Sequence, residues 1–438
     1  MSLQLVLLIG PVPDKIQALS EVLVEESIID CQYLDQLPPT LDVIETVLPD
    51  LVLLFGDELE AAGDNVLDFC VQMRDQVWEH RPVLVVQTGA NEEAKRIDFL
   101  IGGADDTVST DLSVEELRIR LLVHLRRNLE ILSNRVTRLP GLSLSSKILQ
   151  RRIHLQAPWG VLFIRINHFA AYREVYGNIP SQQMLKTFSA LLGSLILPPD
   201  FIGHLENDVF LVLTHAEQAE KAADILTRQF ERVARNFYSE RDQKRGYVIS
   251  LADERISRRV GLLSLSIGVI THAAPGMDTY QAVLHRAGEL CELAQQGGGS
   301  HWISERLRLT GSSSGSNLPR ARSVLVVESD AALAFLLKTT LEMQQYRVET
   351  VGSPQEVMPL LIDHAFDMVL IDTFLEGEAA SRDLCRHIKA ENPALKILFV
   401  STVHDRESAL EAGADLYLPK PFELMSLLTW IDRLSRGG

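Results

Sequence analysis

Short apolar runs alternate with mixed polar–apolar segments at both ends of this chain. Toward the C-terminus the runs are Val324–Val327, Met368–Ile371 and Ile397–Val400. Each precedes a segment of helical period, such as Ala331–Met343 or Ser381–Ala390. Strands alternating with helices predict a parallel sheet covered on both faces. Residues 1 to about 125 repeat the plan with Leu5–Ile9, Leu51–Phe55 and Val83–Gln87, and GGADDTVSTDLSVEELRIRLLVHLRR there mirrors the later GADLYLPKPFELMSLLTWIDRL. Two copies of one α/β unit therefore flank a middle block.

The middle block has a different order. Its strand candidates are Gly160–Ile166, Phe201–Leu205, Phe210–Leu213, Tyr247–Leu251 and Leu262–Val269, with helices over Ile179–Leu195, Ala216–Asn236 and Thr279–Gln296. This predicts an α+β sheet domain. The stretch Ser239–Arg259, SERDQKRGYVISLADERISRR, reads as a charged, solvent-exposed hairpin insertion. No Gly or Pro interrupts Ser113 to Leu139, and Leu122, Leu125, Leu129, Leu132 and Val136 recur at spacings of three and four. That predicts one continuous helix, packed on its own domain or pairing across a dimer. TGSSSGSNLP, Thr310 to Pro319, has nothing that buries a core and reads as a flexible linker.

Composition narrows the function classes. The 438-residue chain carries a formal net charge of −17, which argues against non-specific nucleic-acid binding. The N-terminal MSLQLVLLIGPVP is apolar but too short to span a bilayer, and no other run approaches the roughly 20 residues a membrane helix needs. Cys31, Cys70, Cys291 and Cys385 form no CxxC pair, which suits a reducing cytoplasm and neither a disulfide framework nor a zinc site.

Ligands of a doubly wound sheet bind beyond the carboxyl ends of its strands. In the last block those ends carry Glu328, Ser329 and Asp330, then Asp372, then Ser401, with Lys420 before Pro421. Carboxylates, a hydroxyl and an ammonium suit Mg2+ and an aspartyl phosphate. VLVVESD, DMVLIDTFLEG, ILFVST and GADLYLPKPF resemble the receiver domain of bacterial two-component response regulators over nearly all of 322–438. The resemblance implies Asp372 as phospho-acceptor, Ser401 as switch hydroxyl, Tyr417 as switch aromatic and Lys420 as phosphate-sensing lysine. It also implies a metal site drawing on Glu328, Asp330 and Asp372, and a cis Lys420–Pro421 bond. Ser329 departs from the family's second acid, and Glu376 stands where the family has Pro.

The same overlay on the first block puts Phe55 at the acceptor position, with Asp57 two residues beyond. Ile9, Gly10 and Pro11 stand where acids belong, Gln87 stands near the Ser/Thr place, and Thr110–Asp111 replace Lys–Pro. Such a block predicts a pseudo-receiver used for contacts.

In the middle block, NRVTRLPG, LFIRINHFAAYREVYGN, FIGHLENDVFLVL and LSLSIGVI resemble the GGDEF domain of diguanylate cyclases over most of 134–303. Joining two GTP molecules needs divalent ions held by carboxylates and a backbone free to approach phosphate. Here Arg165 and Asn167 replace the family's metal-binding acids, and Arg173 replaces the Asn that reads guanine. Gln182 replaces an Asp. Glu206 and Asn207 replace the paired glycines, Asp208 survives, and Val209 removes the next acid. The product-site Arg is missing from Leu197-Pro198-Pro199-Asp200.

The expected architecture is α/β multidomain: two flavodoxin-like, doubly wound receiver domains flanking an α+β GGDEF-like domain. The boundaries are 1–128 for the pseudo-receiver, 129–308 for the degenerate GGDEF-like domain, 309–321 for the linker and 322–438 for the receiver with acceptor. The expected function is a cytoplasmic response regulator, phosphorylated on Asp372 with Mg2+ by a histidine kinase or phosphotransfer protein. Output would run through protein contacts, as a homodimer or on a protein effector, with no nucleic acid or membrane partner. The GGDEF-like domain is expected to be a pseudoenzyme with no nucleotide; Arg165 and Arg173 leave open a nucleotide held without turnover. The alternatives are an active diguanylate cyclase making cyclic di-GMP from GTP, and a scaffold that is never phosphorylated.

Overall fold

The computed structural model describes residues 4–25, 28–155, 158–253, 256–306, 322–372, 378–401, 406–422 and 424–435. The expected linker and Glu376 lie outside them. The chain forms two compact units. Met1–Ile166, Leu185–Gln229 and Leu265–Arg308 make the first; Asn167–Met184, Phe230–Ser264 and Leu309–Gly438 make the second.

The first unit opens with the strands β1 (Gln4–Ile9), β2 (Ile29–Leu34), β3 (Leu51–Phe55), β4 (Val83–Thr88) and β5 (Asp106–Ser109). They pair in parallel in the order β2-β1-β3-β4-β5, the flavodoxin-like winding. Both β1 and β3 are buried along their whole length, because helices cover both faces. The helices have local start signals. Asn65 accepts from the Asp68 N–H at 3.0 Å and starts Val66–Asp75, and Ser113 accepts from the Glu116 N–H at 3.2 Å and starts Val114–Leu132.

The helix that opens at Val114 corrects one expectation: it stops at Leu132 and does not continue to Leu139. Local polar groups end it. The Ser133 hydroxyl donates back to the Leu129 carbonyl at 2.6 Å, and Asn134 Oδ1 accepts from the Val136 N–H at 2.9 Å. The Gly141 N–H then donates to the Leu132 carbonyl at 2.7 Å. Leu117, Leu121 and Leu125 face the first sheet's core, while Leu129 and Leu132 pack on the core of the middle sheet. The apolar stripe is thus consumed within the unit.

The next helix, Leu142–His154, carries a contact the sequence did not reveal. Asp50, just before β3, is 1% exposed. Its carboxylate accepts from Lys147 Nζ at 2.9 Å and from Arg151 Nη2 at 2.6 Å. Lys147 also donates to the Pro49 carbonyl at 2.7 Å, and the Leu5 N–H donates to Asp50 Oδ2 at 2.8 Å. Burial pushes the Asp50 carboxyl up, but the two cations outweigh it and hold it below its ordinary value.

The middle sheet is built from β6 (Gly160–Asn167), β7 (Phe201–Glu206) and β8 (Val209–Thr214). The hairpin strands β9 (Tyr247–Asp253) and β10 (Ile256–Gly261) belong to the second unit, and β11 (Ser264–Thr271) and β12 (His301–Ser304) complete the sheet in the order β12-β11-β6-β8-β7. Gly268 on β11 meets the helix Tyr280–Gln295 so closely that an added Cβ would lie 1.9 Å from the Ala287 carbonyl.

In the second unit, β13 (Ser323–Val327), β14 (Arg347–Val351), β15 (Met368–Asp372), β16 (Lys396–Ser401) and β17 (Leu416–Pro419) repeat the parallel order β14-β13-β15-β16-β17. The sheet then continues past β17 with β10 and β9. The hairpin expected to stand in solvent instead pairs antiparallel with β17, Ser257 opposite Tyr417 and Arg258 opposite Leu416. The Arg259 N–H also donates to the Asp415 carbonyl at 2.9 Å. An edge strand offers unpaired N–H and C=O groups to any strand that reaches it. Ser250 and Ser257 are fully buried, and Tyr247 and Val260 are buried with them. The charges lie around this contact, with Arg241 paired to Glu407.

Candidate functional site

The carboxyl end of the C-terminal sheet brings together most of the expected residues. Asp372 ends β15 and is 1% exposed; Glu328 follows β13 and is 3% exposed. Lys420 Nζ is hydrogen-bonded to Asp372 Oδ2 and lies 3.9 Å from Glu328 Oε2. The Lys420–Pro421 bond is cis, and the Lys420 N–H donates to the Ser401 carbonyl at 2.7 Å. Ser401 ends β16 and is buried. Tyr417 is buried too, packed with Phe399 and Leu410 in one core cluster.

Burial and then the neighbouring Asp372 carboxylate push Glu328 up to about 7. Its Oε2 is buried without a hydrogen-bond partner among the described residues. Asp330 is placed differently from the rest. Its carboxylate accepts from the Ala332 and Leu333 N–H groups at 2.8 and 3.1 Å and caps the helix Ala331–Met343, and its own N–H donates to Glu328 Oε1 at 2.8 Å. Among the described residues no group of three His, Cys, Asp or Glu is placed to hold a metal. Glu328 and Asp372 remain as a pair of buried carboxylates, a donor set that suits a hard, oxygen-seeking divalent ion completed by water.

At the same end of the first sheet, Phe55, expected at the acceptor position, is a core side chain, 1% exposed. It lies against Gly10, where an added Cβ would be 2.7 Å from the Phe55 Cβ. That edge does hold polar groups, Asp57 together with Thr88 and Lys95. Asp57 Oδ1 accepts from Thr88 Oγ1 at 2.9 Å and from Lys95 Nζ at 2.8 Å, and Lys95 also pairs with Glu60 at 2.7 Å and Glu92 at 3.0 Å. Burial pushes Asp57 up, but Lys95 and Thr88 outweigh it and lower it. Lys95 neutralises several acids at once.

The middle-sheet turn is rebuilt around histidine. Asn207 sits at φ 29°, a backbone conformation that glycine enters freely and asparagine tolerates. His204 is buried; its Nε2–H donates to the Asn207 carbonyl at 3.0 Å, which leaves Nδ1 to accept from the Thr137 hydroxyl at 2.9 Å. Burial lowers the His204 pKa, and its ring stacks on Phe210 at 4.1 Å. Glu206 and Asn207 are exposed, Asp208 and Val209 half-buried. Arg165 lies opposite Val209 in the β6–β8 register. The turn is tied to β6 by the Ile166 N–H, which donates to the Asp208 carbonyl at 3.0 Å. In the second unit, Asn167 is buried and donates to Ser264 Oγ at 2.9 Å, and Arg173 lies 5.9 Å from the Phe169 ring centroid.

Two stretches of the chain match known domain families. Residues 324–432 match the response regulator receiver domain family, and residues 132–252 match the diguanylate cyclase GGDEF domain family. The response regulator MprA of Mycobacterium sp. strain KMS is 33% identical over 116 residues, which is 26% of this chain and 50% of that protein. MprA of Mycolicibacterium vanbaalenii gives the same figures. The chain thus spans about half the length of the curated relatives it matches. Among solved structures, a CheY-like receiver domain protein from Methanospirillum hungatei JF-1 is 26% identical, covering 27% of this chain and 96% of that one, at a TM-score of 0.26. The GGDEF domain of DgcB from Caulobacter crescentus, in complex with c-di-GMP, is 18% identical, covering 40% and 95%, at a TM-score of 0.32. Among the described residues, no helix is long and apolar enough to cross a membrane.

Proposed function

We propose that the chain is a cytoplasmic two-component response regulator whose C-terminal receiver accepts a phosphoryl group on Asp372. The observation that carries this reading is the buried Asp372 carboxylate paired with Lys420 beside Glu328. A histidine kinase or phosphotransfer protein is the donor. One Asp372 oxygen attacks phosphorus, the donor's N–P bond breaks, and the imidazole leaves with the electron pair. Lys420 neutralises the new phosphoryl oxygens, and the Ser401 hydroxyl donates to one of them. Glu328 and Asp372 would hold Mg2+, which supplies charge neutralisation when bound; Asp330 serves by capping the helix that follows.

Output runs through protein contacts. Tyr417 and Ser401 flank the phosphoryl position, and Tyr417 is paired with the hairpin through Ser257. A shift of β17 is therefore felt by the hairpin first. The first block acts as a pseudo-receiver and the middle block as a pseudoenzyme. Arg165 in a metal-ligand position and Glu206 beside the phosphate path oppose a triphosphate with its ions.

The test is exposure of the full chain to acetyl phosphate with Mg2+, read by intact mass. One phosphoryl group should add to the native chain and none to Asp372→Asn. Equal labelling of both, or of neither, refutes the assignment.

A further inference from the structure

Behind the hairpin, on the side of the C-terminal sheet where its strands begin, lies a cavity of about 190 Å3. It is lined by Arg258 and Arg259 from β10, Lys396 at the start of β16, Arg433 from the helix Leu424–Ser435, His168 and Asp415. All belong to the second unit. Four permanent cations around so small a volume stand out in a chain of net charge −17.

Among the described residues, the one acid in the lining is already used. Asp415 Oδ2 accepts from Lys389 Nζ at 2.7 Å and from the Ile397 N–H at 2.8 Å. Among the described residues, Arg258, Arg259, Lys396 and Arg433 make no ion pair of their own. Arg259 lies 4.1 Å from the Tyr247 ring centroid and Arg433 4.8 Å from that of Trp430. Stacking holds the planes of both guanidinium groups and leaves their N–H edges for a ligand. Among the described residues, Arg258 Nε is buried with no hydrogen-bond partner. A buried donor left unpaired costs about 1–3 kcal/mol. The field is felt by its neighbours: burial, and then Arg258 and Lys396, lower the His168 pKa. Burial likewise lowers Arg258, with Arg433 adding to it and Glu174 opposing; the Glu174 carboxylate itself accepts from Ser250 Oγ at 2.6 Å.

We propose that this cavity receives a small phosphorylated anion, a mono- or diphosphate, free or carried on a nucleotide, which Arg258, Lys396 and Arg433 grip together. The anion would satisfy Arg258 Nε and join β10 to β16 and the last helix, so it would lock the hairpin onto the sheet. The site lies at the other end of the strands from Asp372, and the proposal does not rest on phosphoryl transfer there.

Isothermal titration of the full chain at constant ionic strength tests it, with inorganic pyrophosphate, orthophosphate, guanosine diphosphate and chloride as titrants. Saturable binding of one pyrophosphate or orthophosphate is expected, weakened at least tenfold in Arg258→Gln and in Lys396→Gln and unchanged in Asp372→Asn. Tighter binding of guanosine diphosphate than of pyrophosphate would assign the phosphate to a nucleotide; equal or weaker binding would assign it to the free anion. If Arg258→Gln fails to fold by circular dichroism, Lys396→Gln decides alone. No saturable binding of any phosphate, binding that survives both substitutions, or binding lost in Asp372→Asn overturns the proposal.

Discussion

Ser257 of the hairpin and Tyr417 of the last receiver strand face each other across an antiparallel pair. The strand that carries Tyr417 is therefore an interior strand of a seven-stranded sheet. A proline at Ser257 removes a backbone donor from that ladder and adds a ring that does not fit it. In Ser257→Pro, the amides of Leu416, Tyr417 and Leu418 should exchange with deuterium at least tenfold faster, while those of Val324–Val327 keep their protection. Unchanged protection at Tyr417 would mean that the pairing contributes nothing in solution.

The hairpin also marks the limit of what the sequence showed. The parallel strands were legible because strands covered on both faces must be nearly all apolar, as Leu51–Phe55 and Val324–Val327 are. The turn Glu206-Asn207-Asp208 was legible from its flanking strands. Ser257 and Arg258 were not, since a buried serine and a cation beside a cavity read as polar surface until the pairing partner, some 160 residues away, is known. The stop at Leu132 was missed for a local reason: hydrogen bonds from Ser133 and Asn134 outweighed an apolar period that continued past them. In the site, Asp372, Ser401 and Lys420 follow from strand ends. Asp330 has the right residue type for a metal ligand, yet helix capping uses its carboxylate.

Lys147 is the buried partner of Asp50, with a side chain only 4% exposed. Removing one partner of a buried pair leaves the other charge uncompensated, which typically costs about 3–5 kcal/mol. Arg151 still holds Asp50 Oδ2, so Lys147→Met should fall toward the lower end, about 3 kcal/mol. Urea unfolding of the full chain, followed by near-UV circular dichroism, measures this. A loss under about 0.5 kcal/mol, the size of an ordinary surface substitution, would show that the triad does not hold the helix Leu142–His154 to the first sheet.

His80 lies next to this triad, its ring within 3.3 Å of Ser143 Oγ and 3.4 Å of Ser146 Oγ. Burial, followed by the charges of Lys147 and Arg151, lowers its pKa from 6.5 to about 4. Between those values the unfolded chain binds a proton that the folded chain does not. The His80 contribution to stability is thus complete above 6.5 and is lost as pH falls toward 4. Melting temperature should drop as pH falls from about 6.5 toward 4, and His80→Gln should flatten part of that slope. An identical slope in the variant would assign the acid sensitivity elsewhere.

Glu328 is one of two buried carboxylates at the proposed metal position, and among the described residues its Oε2 lacks a hydrogen-bond partner. A glutamine keeps the shape and removes the charge that attracts a divalent ion. Glu328→Gln should weaken Mg2+ dependence of acetyl-phosphate labelling at least tenfold, while Asp330→Asn, which keeps a capping oxygen, should shift it by less than about twofold. The reverse order would place Asp330 on the metal and Glu328 outside it.

The turn at Glu206 supports a last prediction. Two ions on a triphosphate need carboxylates close to a backbone that phosphate can approach. On β6 the ladder position opposite Val209 is Arg165, a cation, and beside them Asn207 holds the φ of 29° that glycine would hold with no side chain in the way. With GTP and Mg2+, the native chain should form no cyclic di-GMP detectable by chromatography. The changes Arg165→Asp, Glu206→Gly, Asn207→Gly and Val209→Glu, made together, replace the repelling groups and place one acid on β6 and one beside the turn. If charge and bulk are what block the chemistry, the fourfold variant should gain GTP-dependent protection against thermal unfolding, whether or not turnover returns. Product from the native chain would refute the reading directly. A fourfold variant as indifferent to GTP as the parent would show that the obstacle lies beyond these four side chains, in the way His204 and Thr137 hold the turn.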